Sequence, residues 1–179
     1  YDSGDFDPMF DMAMAASDWG GFAGRRAASE AAGLKRGLGI CAYLEVSAPP
    51  GKEMGGLRFG EDGRVTIVSG TLDYGQGHRA TFAQILSARL GIGFDKIDLL
   101  QGDSDELIVG GGTGGSRSVI AEAGALYETA AEVIKKGRAV AGHVLEAAVE
   151  DVEFADGTFR IAGTVRSIGL IELAARMRE

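Results

Sequence analysis

Between positions 110 and 118 the chain reads Gly110-Gly111-Gly112-Thr113-Gly114-Gly115-Ser116-Arg117-Ser118, with five glycines in six positions just ahead of a long helical pattern. A helix or strand interior does not tolerate such a run, because every glycine carries extra backbone entropy that ordering must remove. The segment is therefore an irregular turn, free to aim successive N–H groups at a common point. The helix behind it brings its positive end to the same place. Ser116, Arg117 and Ser118 add two hydroxyls and one cation. Such a turn suits a dense array of acceptor atoms, as in a phosphate or a pterin. The plainer alternative is a flexible loop in which Ser116 or Ser118 caps the helix.

Glycine is also abundant elsewhere, 29 of 179 residues, about twice the usual share of roughly 7%. A second concentration is Tyr74-Gly75-Gln76-Gly77-His78. Glycines on both sides of Gln76 permit close backbone approach, and its amide offers donors and acceptors to a heterocycle. Gly75, Gly77 and Ala80 also match the spacing of a dinucleotide fingerprint, with Asp95 or Asp98 about twenty positions on. A nicotinamide-dependent dehydrogenase is disfavoured, because residues 71–74 separate strand from glycine and the surrounding βαβ repetition is missing. His78 is either a ligand or general acid or a capping or packing residue, and His143 lies inside a helical stretch. The carboxylates of Gly102-Asp103-Ser104-Asp105 lack the further ligands a calcium loop needs and read as a turn.

Hydrophobic periodicity supplies the framework. Residues 7–32 read as helix, interrupted near Gly20 and Gly21, with Pro8 at its start. In residues 37–46, Ile40, Ala42, Leu44 and Val46 share one parity and predict a strand, ended by Pro49, Pro50 and Gly51. Residues 57–59 and 64–69 flank Glu61-Asp62-Gly63 as a hairpin. Residues 77–90 form an amphipathic helix with Phe82, Ile85, Leu86 and Leu90 on one face, stopped by Gly91. Residues 96–101 are a short β-like run. Residues 118–135 form a helix facing inward with Val119, Ala123, Leu126, Ala130, Val133 and Ile134, and residues 138–148 form another. Residues 152–154 and 158–162 flank Asp156-Gly157 as a second hairpin, and residues 168–176 close as helix. Strands and helices without regular βαβ alternation indicate an α+β fold, with helices layered on a mixed or antiparallel sheet. The expected division is a helical lead-in over residues 1–36 and an α+β domain over residues 37–179.

A formal net charge of -8 disfavours nucleic-acid grooves and anionic membranes, which need concentrated Lys and Arg. Cys41, the single cysteine, excludes a disulfide framework, a thiolate zinc site and an iron–sulfur cluster within the chain, and its apolar surroundings predict a core residue. No apolar stretch reaches the roughly 18 residues of a membrane span, which leads to the expectation of a soluble, cytoplasmic protein. No serine has a histidine and acid arrangement and no Walker lysine follows the glycines, so hydrolase and NTPase chemistry lack their parts. The residues describe a ligand cradle with no catalytic constellation and no metal ligands.

Three stretches, in this order and separation, resemble the large subunits of molybdenum hydroxylases of the carbon monoxide dehydrogenase, aldehyde oxidase and xanthine dehydrogenase type. They are Tyr1-Asp2-Ser3-Gly4-Asp5-Phe6, Gly70-Thr71-Leu72-Asp73-Tyr74-Gly75-Gln76-Gly77-His78, and Gln101-Gly102-Asp103-Ser104-Asp105 followed by the glycine turn ending at Ser118. The resemblance covers nearly the whole chain and is nearest to carbon monoxide dehydrogenase large-chain-like members. It implies a molybdopterin cofactor with molybdenum, often a cytosine dinucleotide form in bacteria. It places Gly75, Gln76, Gly77 and His78 on the pterin side, and Gly112, Thr113, Gly114, Gly115, Ser116, Arg117 and Ser118 on the cofactor through hydroxyl and backbone groups. It further implies a small-molecule substrate, iron–sulfur and FAD partner subunits, and a remaining part of the large subunit that carries the catalytic glutamate and substrate loop. A fragment of this kind is not expected to turn over alone. The roles of Glu45 and Glu122 are left open. The competing reading is a noncatalytic interaction domain that keeps an empty cradle.

Overall fold

The computed structural model describes residues 4–43, 45–47 and 51–178. The expected contribution of Tyr1, Asp2 and Ser3, and those of Leu44, Pro49 and Pro50, lie outside the described residues. The chain divides into two units, Tyr1–Glu45 and Val46–Glu179.

The first unit holds α1 (Phe6–Ala16), a 3-10 turn at Trp19–Gly21 and α2 (Phe22–Ala31). The interruption falls where the glycines place it. Asp18, at φ 48°, accepts a hydrogen bond from the Gly21 amide and pairs with Arg25. Ser29 is the one buried side chain on these helices. The strand expected over residues 37–46 does not form: the described residues there are irregular and exposed, Cys41 among them. Alternation prepares a strand to pair, but a strand persists only with a hydrogen-bonded neighbour, and none of the described residues provides one. The same absence of a covering layer removes Cys41 from any core.

The second unit is α+β. Strands β1 (Gly55–Phe59) and β2 (Val65–Ser69) form the expected antiparallel hairpin, and β3 (Ile97–Leu100) adds parallel to β2 after crossing through α3 (His78–Leu90). A second, antiparallel sheet comprises β4 (Val152–Ala155), β5 (Thr158–Ile161) and β6 (Ser167–Gly169), followed by α5 (Leu170–Arg176). The β2–α3–β3 crossover is a single parallel unit, not a repeat. Residues 168 and 169, the start of the expected closing helix, belong to β6 of the second sheet instead.

A single helix, α4 (Ser118–Val144), replaces the two expected over residues 118–148. The expected gap at residues 136 and 137 is absent, and a Cβ on Gly137 would overlap the Phe159 ring. Glycine is present because the β5 ring presses on the helix backbone. Its roughly 1 kcal/mol helix penalty is set against the burial of Phe159, which is 0% exposed. The inward face keeps Leu126 and Ala130, with Val133 and Ile134 packed against the core, as expected, and departs from expectation at the start of the helix. Ser118, Glu122, Leu126, Ala130, Gly137 and Ala141 are buried, whereas Val119 is 46% exposed. Val65, Ile67, Phe82, Leu86, Leu90 and Ile97 form one continuous core with Leu126, Ala130, Phe159, Ile161, Ile168 and Leu173, so β2, α3, α4 and the second sheet are one packed body.

Candidate functional site

The turn between β2 and α3 is organised by Asp73. Its carboxylate accepts from the amides of Gly75 (2.7 Å), Gly77 (3.3 Å) and His78 (2.7 Å). The Gly75 hydrogen bond, with those of His78 and Gly77, holds the carboxyl below its usual range against the desolvation that opposes them. Gly75 at φ 113° and Gly77 at φ 77° supply left-handed backbone that a side chain would strain. Gln76 is exposed and bridges its own turn, accepting from the Tyr74 amide and donating to the Leu72 carbonyl at 3.2 Å. One N–H and one lone pair of its amide are left for a ligand. Because Asp73 already occupies the amides at the start of α3, that helix end is not available to a pyrophosphate. This is a geometric reason, beyond the spacing, to set the dinucleotide reading aside.

The start of α4 is the opposite case. Its N-cap position is Arg117, and no side chain caps it, so neither Ser116 nor Ser118 serves the capping role of the plainer reading. The amides of the first turn are left for an external acceptor. Gly112 (φ 67°) and Gly115 (φ 60°) are left-handed, and so is Ser116 at φ 55°, a costly conformation for a residue with a side chain. The loop is fastened to the end of β2. Gly112 donates to the Gly70 carbonyl at 3.2 Å. A Cβ on Gly70 would sit 2.8 Å from the Val109 carbonyl, and one on Gly110 would sit 2.9 Å from the Gly70 carbonyl. Thr113 and Ser118 share a hydroxyl–hydroxyl hydrogen bond.

These two turns, 35 or more positions apart in sequence, border one cleft of about 430 Å³ lined by Gln76, His78, Thr113, Gly114, Ser116, Ser118 and Val119. A neighbouring cleft of about 360 Å³ lies on Gly70, Thr71, Leu72, Gly102, Ser104, Gly110 and Gly112, among others. Of the expected residues, Gln76, His78, Thr113, Gly114, Ser116 and Ser118 meet on the first cleft. Gly112 lines the second. Gly75, Gly77, Gly115 and Arg117 shape the turns and line neither.

Beneath the first cleft lies a buried polar cluster that periodicity alone does not reveal. Thr71 Oγ1 is 2.9 Å from Ser69 Oγ and 3.3 Å from His78 Nδ1, and the Gln101 amide nitrogen lies 2.6 Å from Thr71 Oγ1 and 3.2 Å from His78 Nδ1. The His78 ring is 2% exposed and stacks on Phe82 at 4.8 Å. Glu122 completes the cluster, 0% exposed, with both carboxyl oxygens lacking a hydrogen-bond partner. Burial pushes its carboxyl up to about 8, the Ser69 hydroxyl beside it opposes this, and the Glu53 charge adds to it. The available signal was the four-residue step from Ser118 to Glu122, which puts both on one helix face.

Among the described residues, no group of three or more His, Cys, Asp or Glu side chains could hold a metal ion, and no helix is long and apolar enough to cross a membrane. The chain is 33% identical over 98% of its length to the 6-hydroxypseudooxynicotine dehydrogenase complex subunit gamma of Paenarthrobacter nicotinovorans. It is 30% identical over 91% of its length to the carbon monoxide dehydrogenase large chain of Hydrogenophaga pseudoflava, and it spans 22% of each of these relatives. The crystal structure of a Cu,Mo-CO dehydrogenase superposes with a TM-score of 0.67 at 30% identity, covering 98% of this chain and 24% of that one. Quinoline 2-oxidoreductase from Pseudomonas putida 86 gives 0.62 at 26% identity, covering 94% and 23%. The profile of the molybdopterin cofactor-binding domain matches residues 12–179, and with the fold in agreement, the chain belongs to that family of cofactor-binding domains from molybdenum oxidoreductase large subunits.

Proposed function

We propose that this chain holds the pyranopterin of a molybdenum cofactor in the cleft between the Gln76 turn and the start of α4, as part of a larger oxidoreductase subunit. The carrying observation is the convergence of two distant turns on one cleft, one with a half-used amide and the other with an uncapped helix end. The residues fit such a group. Its fused ring needs paired donors and acceptors, which Gln76 supplies, and its anionic side needs N–H and hydroxyl groups, which Ser116, Ser118 and Thr113 supply. Gly70 and Gly110 cross too closely for any side chain, so the loop backbone itself forms the cradle.

When bound, the group supplies the redox chemistry, while the protein orients it and keeps water out. The chain spans about a quarter or less of the relatives it matches. The rest of the large subunit, iron–sulfur and FAD subunits, the small-molecule substrate and a cytoplasmic setting therefore belong to the proposal, as does the cytosine dinucleotide form. A helical lead-in over residues 1–36 before a cofactor domain over residues 37–179 belongs to it as well. Gly75, Gly77, Gly112, Gly115 and Arg117 act in it by shaping the two turns.

The test is to express the complete large subunit with its partners and measure molybdenum and pterin after Gln76→Ala and Ser118→Ala. Each substitution is expected to lower retained cofactor by about tenfold, equivalent to ~1.4 kcal/mol. Wild-type loading in both variants would reject the assignment and favour a domain that retains the cradle without using it.

A further inference from the structure

Away from the cofactor cleft, the second unit carries a groove of about 510 Å³ beside the end of α3, the second half of α4 and the turn ahead of β4. Its lining holds three cations, Arg89, Lys135 and Arg138, against one carboxylate, Glu150. In a chain of formal net charge -8, this is a local reversal of sign. Among the described residues no carboxylate pairs with Arg89 or Arg138, and Lys135 reaches Glu132 at 3.5 Å along the exposed face of its own helix. The Arg89 guanidinium carbon lies 4.9 Å from the centre of the Tyr127 ring, a cation–π contact that restrains the side chain without neutralising it. The rest of the groove is apolar. Ala131, Ile134 and Val149 line it, with Val149 45% exposed and Tyr127 at its edge 49% exposed.

We propose that this groove docks an acidic segment of a partner subunit, which sets an apolar side chain against Ile134 and Val149 and its carboxylates on Arg89, Lys135 and Arg138. The inference rests on the function proposed above, which places the chain in a large subunit with partner subunits. Charge and shape together select the occupant. Nucleic acid is anionic too, but it is bound along extended basic tracks, whereas here three cations surround an apolar floor. A free inorganic anion would leave that floor wet, and a peptide segment covers it. Arginine held on an aromatic ring beside an apolar pocket is the setting in which interface energy concentrates. The groove is one anchor of a wider contact, since a stable interface covers about 800 Å² on each side. Position separates this role from cofactor binding. The cleft lies at the starts of α3 and α4, whereas Ala131 follows Ser118 by thirteen residues, roughly 20 Å along the helix. A segment seated there holds the partner without touching the bound cofactor.

The experiment uses the assembled holoenzyme. A zero-length carbodiimide, which joins an amine to a carboxylate in contact with it, is applied to the wild-type complex, and linked peptides are identified by mass spectrometry. The link from Lys135 to Glu132 within α4 is the internal control. A second link is expected, from Lys135 to an Asp or Glu of a partner subunit. Arg89→Glu with Arg138→Glu is expected to lose that second link and to raise the dissociation constant of the same partner by about tenfold or more, read by mass photometry on dilution. Molybdenum and pterin per large subunit are expected to stay at the wild-type level. Arg89→Gln with Arg138→Gln, a gentler pair, is expected to weaken the complex in the same direction and decides the matter if the reversed pair does not fold. Lys135 links confined to large subunits, or wild-type dissociation in the glutamine pair, overturn the proposal. Wild-type enzyme without pterin would instead defeat the underlying function while the Lys135 link still reports on the groove, which separates the two failures.

Discussion

At the scale of single residues, the cleft depends on atoms whose value comes from what is withheld from water. Glu122 illustrates the sign of the effect. Its ordinary value is near 4.5 and burial raises it to about 8, so the native state keeps a proton that the unfolded chain has released across that window. The contribution to stability is therefore complete below about pH 4.5 and is lost as pH rises through about 8, at about 1.4 kcal/mol per unit of separation. Denaturant unfolding of the large subunit should show stability falling over that range in wild type, and a flatter profile in Glu122→Gln. Parallel profiles would show that Glu122 does not titrate there. Gly70 is a second residue of this kind. Gly70→Ala forces a Cβ to within 2.8 Å of the Val109 carbonyl, so it should part the loop from β2 and reduce pterin content, measured after release from the purified enzyme. Full retention would show that the crossing tolerates more than its geometry allows.

At the scale of elements, the two helix starts bordering the cleft are prepared differently. The turn into α3 is closed internally by Asp73, which makes it a rigid support, whereas α4 begins without a side-chain cap and with Ser116 in a left-handed conformation. Strain and open amides in the same loop are what a ligand-binding turn requires, because the ligand supplies the missing acceptors. Farther along, α4 is clamped by the second sheet at Gly137. Gly137→Ala, a change that raises intrinsic helix propensity, is expected to destabilise the protein by about 1–3 kcal/mol through overpacking against Phe159. A lowered thermal midpoint would show this, and a raised one would mean that the helix moves away from β5 at no cost. The element that failed to appear is equally informative. Residues 40–46 carry the alternation of a strand, yet Ile40, Tyr43 and Val46 are exposed, since alternation records a preference that only a partner can satisfy.

At the scale of the whole molecule, the core joins both sheets through α3 and α4, so the cleft sits on one packed body and its two turns cannot drift apart independently. The fold class, both hairpins, α3 with its Gly91 stop and the two glycine turns were legible from residues 57 onward. Each is set by short-range chemistry: parity in a strand, three- and four-residue spacing in a helix, and positive φ at glycine. The pairing of Gln76 with Ser118 across the cleft was anticipated through a resemblance, not from spacing. What the chain order could not reveal was which contacts override local preference. Two helices are expected over residues 118–148, and only the packing of the Phe159 ring against Gly137 shows why a glycine stands inside one continuous α4. Val119 reads as core, and only the buried cluster explains why Ser118 and Glu122 take that face instead. Glu122 has no role that spacing assigns. Its raised pKa follows from desolvation, a property of every atom packed around a group, and the linear order of residues does not contain it.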